Sequence, residues 1–236
     1  MHILAIATDY DGTLAENDVA PPSTVAALAE VRTSGRKLIL VTGRHLPDLR
    51  QVFSHGLPLF DAVVAENGGL LYYPQSDLAR ALTRAPPEAF VQRLRDARVD
   101  ELMVGQTIVA TKAHEQETVR RAIADLAPHL RIILNTDSLM VLPAGIDKAS
   151  GLKVALAELG LDAATTAAIG DAENDIAFLR YAGHAVAVAN ALPEVKAIVH
   201  QVTKGERGAG VEEFIAELLA RMSAERIHRA PADSRV

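Results

Sequence analysis

The sequence predicts an α/β protein: a doubly wound, Rossmann-like parallel sheet interrupted by an inserted small α+β module. Three observations lead there. Short apolar runs alternate with helical periods from the N-terminus to Pro74, and the alternation resumes at Lys148. The runs at 3–8 (ILAIAT), 37–42 (KLILVT) and 61–66 (DAVVAE) are apolar almost throughout, as strands covered on both faces must be. Between Pro74 and Lys148 the order changes to helix, strands, helix, strands, the pattern of helices packed on one face of an antiparallel sheet.

Taken in order, residues 3–8 form the first strand and 23–32 the first helix, punctuated by Pro21-Pro22 before it and Gly35 after it. Residues 37–42 are the second strand and 46–54 the second helix. Residues 61–66 are the third strand, which Asn67-Gly68-Gly69 turns into 70–73 as a hairpin. The inserted module, placed at 75–145, holds a helix at 87–98, strands at 101–104 and 107–111, a helix at 114–126, and strands at 131–134 and 139–142. The core resumes with a helix at 149–159 ending at Gly160, a strand at 166–169 and a helix at 172–181. A strand at 185–189, a short helix at 193–199 and a last helix at 211–222 complete it. The core is thus expected at 1–74 and 146–223. The polar, proline-containing stretch 224–236 has no periodicity and reads as a flexible tail.

Composition narrows the functional classes. Of 236 residues 49% are hydrophobic, yet only 4% are aromatic and none is Trp, so the core must be built from Ala, Val, Leu and Ile. With no cysteine, disulfides, thiolate catalysis and Cys-ligated zinc are excluded, and a cytoplasmic location is expected. A net charge of −6 gives no expectation of a nucleic-acid surface. No apolar stretch reaches membrane-spanning length and no basic-then-apolar leader opens the chain, so no membrane association is expected.

The chemistry gathers at strand ends. Asp9-Tyr10-Asp11-Gly12-Thr13 follows the first strand, and its two carboxylates, two residues apart, can face one cavity as nucleophile and acid/base partner. Such close acids call for a cation or a shared proton; an Asp-Gly turn with solvated acids is the structural alternative. Thr42-Gly43-Arg44 ends the second strand with a hydroxyl and a backbone N–H near a helix start, an anion site, although Thr42 could equally cap the helix. Gly170-Asp171 ends the strand at 166–169, and with Glu173, Asn174 and Asp175 forms an acidic cluster suited to a hard cation, or to a helix dipole. In an open parallel sheet ligands bind at the carboxyl ends of the strands, so the three motifs together point to phosphate chemistry.

These motifs resemble the haloacid dehalogenase superfamily, in particular its Cof-like, sugar-phosphatase-like branch. The resemblance rests on DYDGTL, VTGR, Lys148 at a helix start and GDAENDIAFL, with Glu66-Asn67-Gly68-Gly69, Ala189-Asn190-Ala191 and Gly210-Val211 agreeing as well. It spans residues 3–222, and an α+β cap inserted after the third strand matches the branch that includes sucrose-phosphate phosphatase and archaeal-type phosphoglycolate phosphatase.

The resemblance implies a Mg²⁺-dependent phosphomonoester hydrolase of a small phosphorylated metabolite, a sugar phosphate or a phosphoglycolate-like acid. In that reading Asp9 is the nucleophile that forms an aspartyl-phosphate, and Asp11 is the general acid and base. Asp9, Asp11 through its backbone carbonyl, Asp171 and Asp175 serve the Mg²⁺. Lys148, Gly12, Thr42, Gly43, Arg44, Asn174 and Asn190 are expected around the phosphate. Thr107, Lys112, Asp137 and Ser138 are candidate substrate readers on the cap. A sugar phosphomutase with the same aspartyl chemistry is the alternative, and a non-catalytic binding module is disfavoured because every acid and Lys148 are present. The expected partner is a small-molecule phosphate ester, and the protein is expected as a monomer or homodimer.

Overall fold

The computed structural model of the chain describes residues 2–135 and 137–229. Its first half runs β1 (Ala5–Thr8), α1 (Pro22–Thr33), β2 (Lys37–Val41), α2 (Leu46–Val52), β3 (Ala62–Ala65), β4 (Leu70–Tyr73) and β5 (Leu78–Ala81). The inserted module holds α3 (Glu88–Asp96), β6 (Met103–Val104), β7 (Val109–Lys112), α4 (Gln116–Leu126), β8 (Leu130–Asn135) and β9 (Ser138–Pro143). The chain then returns through α5 (Lys148–Glu158), β10 (Thr166–Gly170), α6 (Ile176–Tyr181) and β11 (His184–Ala187). It closes with α7 (Pro193–Lys196), β12 (Gln201–Val202) and α8 (Arg207–Arg229).

The large sheet has eight strands in the order β12-β11-β10-β1-β2-β3-β4-β5. From β12 to β3 every pairing is parallel, and β4 and β5 add antiparallel. Thr8 stands opposite Ile169 on one side and Leu40 on the other, so β10, β1 and β2 finish level. The chain winds outward from β1 to β3, then restarts on the far side of β1 at β10. That reversal opens a crevice beside β1, the place where doubly wound sheets bind ligands.

The period of two sorts the strand side chains onto two faces. Ile6, Leu40, Val63 and Ile169 pack with Leu28 and Val31 of α1, Leu49 of α2 and Phe214 of α8. Ala7, Ile39, Val64 and Ala168 pack with Leu152 and Leu156 of α5 and Phe178 of α6. Because both faces are covered, a run such as 37–42 must be apolar at consecutive positions.

The cap sheet is antiparallel, ordered β6-β7-β9-β8. Along β9, Leu139 and Val141 pack under Phe90 and Leu94 of α3 and Val119 of α4. The alternate residues Met140 and Leu142 turn away from the helices and cluster with Ile108. That second face looks to the core.

Three elements differ from the sequence expectation. Leu78–Ala81 joins the large sheet as its edge strand although all four residues are exposed, because its backbone pairs with β4 from Leu70 to Tyr73. Gln201–Val202 is a two-residue edge strand, too short to leave a periodic signal. The last helix extends beyond 211–222 at both ends, from Arg207 to Arg229, so residues 224–229, read as tail, continue α8. Residues 230–236 of that expected tail lie outside the described residues.

Candidate active site

Asp9 follows β1 while still bonded to the sheet, its N–H donating to the Ile169 carbonyl at 3.0 Å, and is 4% exposed. The chain then folds tightly through Gly12, whose φ of +79° belongs to the left-handed region. A side chain there would put its Cβ 2.3 Å from Asp171 Oδ2, so glycine is required by approach as well as by φ. Thr13 Oγ1 donates to Asp171 Oδ1 at 2.6 Å. Asn190 Nδ2 donates to the Gly12 carbonyl at 2.8 Å, while its Oδ1 accepts the Arg207 N–H at 2.8 Å. Asn190 therefore braces the Gly12 turn against the start of α8.

Lys148 enters at the first residue of α5. Asp147 caps that helix by accepting the Ser150 N–H at 2.8 Å, and Ser150 Oγ accepts the Asp147 N–H at 3.0 Å, a reciprocal capping box. The Lys148 ammonium, 1% exposed, lies 2.5 Å from both Asp9 Oδ1 and Asp175 Oδ1. A cation at a helix start opposes the dipole; two buried carboxylates hold it there. Asp175, fully buried, spends its other oxygen on the N–H groups of Asp171 and Ala172, at 2.8 and 3.0 Å.

Carboxylate oxygens of Asp9, Asp171 and Asp175 all lie within 4.8 Å of one another. Burial raises the Asp9 carboxyl well above its ordinary value, against the pull of Lys148, and Asp175, Asp171 and Asp11 push it the same way. Burial also raises Asp171 to about 6, with Asp175 adding to the shift and the Thr13 hydrogen bond and Lys148 opposing it. Lys148 itself stands above its ordinary value: burial would lower it, but Asp175 and Asp9 more than offset that. One ammonium against three carboxylates leaves negative charge that only protons or a cation can neutralise. The donors are hard oxygens, so the cluster fits a divalent cation of the Mg²⁺ or Ca²⁺ kind.

Thr42 and Gly43 sit beside this cluster. Thr42 is buried, and its Oγ1 accepts the Arg44 N–H at 3.1 Å, which leaves the hydroxyl proton free to donate. Arg44, expected at the phosphate, is engaged elsewhere. Its Nε and Nη2 fork onto the two Asp11 oxygens at 2.8 and 2.6 Å, Nη1 reaches Asp48 at 2.7 Å, and Nη2 also meets Asp18. Four donor contacts to three acids fix the guanidinium next to Asp11. Asp11 stands outside the three-carboxylate cluster.

Asn174 Nδ2 donates to Asn67 Oδ1 at 3.2 Å, while Asn67 Nδ2 and Asn174 Oδ1, both buried, have no hydrogen-bond partner among the described residues. Asn174 Nδ2 lies 3.7 Å, and the sulfur of Met140 from the cap 3.1 Å, from where a Gly43 Cβ would stand. The cap therefore sits directly over the Thr42-Gly43 loop. Of the cap residues expected to read the substrate, Thr107 is buried with its N–H and hydroxyl both bonded to Glu66, and Lys112 pairs with Glu101 at 2.9 Å. Thr13 and Asn67 lie inside the DYDGTL and Glu66-Asn67-Gly68-Gly69 motifs, but nothing in their local sequence marks them as part of the site. Met140 carried no local signal, since only the fold puts β9 above the site.

A lysine locked between buried carboxylates at the carboxyl ends of parallel strands is the equipment of a phosphoryl-transfer enzyme. The family model described as haloacid dehalogenase-like hydrolase matches residues 6–118 and 92–215, and the chain belongs to that family. It is 30% identical over 221 residues to a phosphoglycolate phosphatase of Methanothermobacter thermautotrophicus, covering 91% of this chain and 98% of that protein. A phosphoglycolate phosphatase of Haloarcula marismortui is 32% identical over 221 residues, covering 88% and 94%. In fold it is similar to a haloacid dehalogenase-like hydrolase from Bacteroides thetaiotaomicron, with a TM-score of 0.78 at 20% identity over 92% of this chain and 99% of that one. A sugar phosphatase of subclass IIB aligns with a TM-score of 0.72 at 20% identity, over 91% and 98%. The protein is accordingly an enzyme of the phosphatase kind, a hydrolase acting on phosphoric monoesters.

Proposed function

We propose that this chain is a Mg²⁺-dependent phosphatase of a small phosphorylated metabolite, a phosphoglycolate-like acid or a sugar phosphate, acting through an aspartyl-phosphate on Asp9. The observation that carries the reading is the buried Asp9–Lys148–Asp175 cluster with Asp171 beside it. An Asp9 oxygen attacks phosphorus, the bond from phosphorus to the ester oxygen breaks, and Asp11 gives that oxygen a proton as the alcohol leaves. Asp11 then takes a proton from water as the water attacks the phosphorus. The phosphorus–Asp9 bond breaks, and inorganic phosphate departs.

The other residues hold this sequence in place. The Thr42 hydroxyl and the Gly43 N–H receive phosphoryl oxygens, and Lys148 offsets the charge gathered on them. Arg44 orients Asp11 through its fork rather than binding phosphate. Asp9, the Asp11 carbonyl and Asp171 would hold Mg²⁺, with Asp175 steadying the Asp171 loop. When bound, the ion neutralises the carboxylates and the phosphoryl oxygens together. The cap above Gly43 limits the leaving group to a compact one. The curated relatives named phosphoglycolate phosphatase favour a phosphorylated acid, and the absence of cysteine suits work in the cytoplasm.

Phosphate release from phosphoglycolate, hexose and pentose phosphates and nucleotides, compared by kcat/KM with Mg²⁺ and with EDTA, tests the reading. Undiminished turnover in EDTA, or in Asp9→Asn, would sink it.

A further inference from the structure

The turn that leaves β3 makes contacts the phosphatase chemistry does not use. Glu66 is fully buried, and its carboxylate accepts the Gln106 N–H at 3.0 Å, the Thr107 N–H at 2.6 Å and the Thr107 hydroxyl at 2.7 Å. All three donors belong to the loop between β6 and β7 of the cap. Gly105 makes the approach possible, since a Cβ there would stand 2.7 Å from Glu66 Oε1. Only these uncharged cap donors bond to the carboxylate among the contacts seen, so lifting the cap would break all three bonds at once.

The same turn is bonded downward to the phosphate loop. The Glu66 N–H donates to the Arg44 carbonyl at 2.9 Å and the Asn67 N–H to the Thr42 carbonyl at 2.9 Å. Glu66 and Asn67 take φ of +52° and +53°, each costing on the order of 1 kcal/mol for a residue with a side chain, a conformation kept only because its surroundings demand it. Glu66 thus joins two loops, the cap's 105–107 segment and Thr42-Gly43-Arg44.

We propose that Glu66 is a positioning residue that clasps the cap onto the phosphate-binding loop, and so sets how Met140 closes over Gly43 and which leaving groups fit. The proposal rests on the phosphatase reading for its effect on turnover, but the clasp itself can be observed without turnover. Cap motion then pivots on the 105–107 loop instead of lifting the whole module away.

The test uses full-length Glu66→Gln, Thr107→Val and Thr107→Ser. Glu66→Gln keeps the shape but sets an amide NH₂ against at least one of the three cap donors, since its single oxygen cannot serve both the Gln106 and the Thr107 side; Thr107→Ser keeps the hydroxyl. Hydrogen–deuterium exchange of a peptide containing Gln106 and Thr107 should rise at least about tenfold in Glu66→Gln and less in Thr107→Val, with peptides of β9 and α4 unchanged and Thr107→Ser near wild type. With Mg²⁺, kcat/KM for phosphoglycolate should fall about tenfold in Glu66→Gln while that for acetyl phosphate, whose small activated leaving group needs little from the cap, stays within about threefold. Unchanged exchange in Glu66→Gln would overturn the clasp. Faster exchange with equal losses on both substrates would reduce Glu66 to general stability and overturn its role in selection. A wild-type protein that hydrolyses neither substrate would refute the phosphatase reading and with it any role in selection, while the exchange result alone still decides the clasp.

Discussion

The Lys148 ammonium lies 2.5 Å from Asp9 Oδ1, with both side chains out of water although they stand 139 positions apart in the chain. Few pairs could be more sensitive to which partner is removed. Asp9→Asn leaves Lys148 bonded to Asp175 and relieves carboxylate crowding, so phosphate release should fall more than about 10³-fold with little loss of stability. Lys148→Met instead strands two buried carboxylates, and should cost about 3–5 kcal/mol as well as activity. Urea unfolding without metal checks the contrast; equal destabilisation by the two variants would contradict it.

Asp171 gives the pH dependence a sign. Its carboxyl is raised to about 6 in the folded protein, against about 4 when unfolded. A raised acid binds more protons folded than unfolded, so its contribution is full below about pH 4 and is lost as pH rises to about 6. The Tm of the metal-free wild type, taken relative to Asp171→Asn, should therefore drop across that window by roughly a few degrees. A divalent cation held at this cluster would replace the proton, so stabilisation by Mg²⁺ should be larger at pH 7.5 than at pH 5. The same Mg²⁺-induced shift in Tm at both pH values would argue against a cation at this cluster.

Gly12→Ala separates two penalties. At Gly35, also at positive φ (+85°), an added Cβ meets nothing within 4 Å, so Gly35→Ala should cost only the backbone term of about 1–2 kcal/mol. Gly12→Ala must in addition displace Asp171. Its Mg²⁺ requirement, titrated by activity, should rise at least about tenfold while that of Gly35→Ala stays at wild type. Matching metal titrations in the two variants would show that the Gly12–Asp171 approach is not limiting.

Arg44→Lys distinguishes orientation of Asp11 from phosphate binding. Lysine cannot reproduce the fork, and losing one charged hydrogen bond should lower kcat by about tenfold or more. Competitive inhibition by inorganic phosphate should stay within about twofold, because Arg44 is spent on Asp11, Asp18 and Asp48. A large weakening of phosphate inhibition would return Arg44 to the phosphate.

Much of the core was legible because its signals are local. Apolar runs at 3–8, 37–42 and 61–66 mark buried strands whatever the rest of the chain does, and the polar motifs stand directly behind them. Leu78–Ala81 left no such signal: an exposed edge strand is defined by backbone pairing with β4, not by an apolar pattern. The last helix outruns its apolar period for a related reason, since residues beyond 222 are too polar to show one.

By itself the sequence placed Asp9, Asp11, Thr42 and Asp171 directly behind strands at one edge of a parallel sheet, because a strand ends where its apolar run ends and parallel strands present the same end to one crevice, whereas Lys148, at a helix start, was singled out only by the family resemblance. Only the tertiary structure decided where the long or buried side chains went. Arg44 could have reached a phosphate but lies with an acid 33 residues away, and Thr107 faces Glu66, 41 residues away, rather than a substrate. Such pairings depend on sheet register and on how the cap is seated, and neither is written in the spacing of residues along the chain.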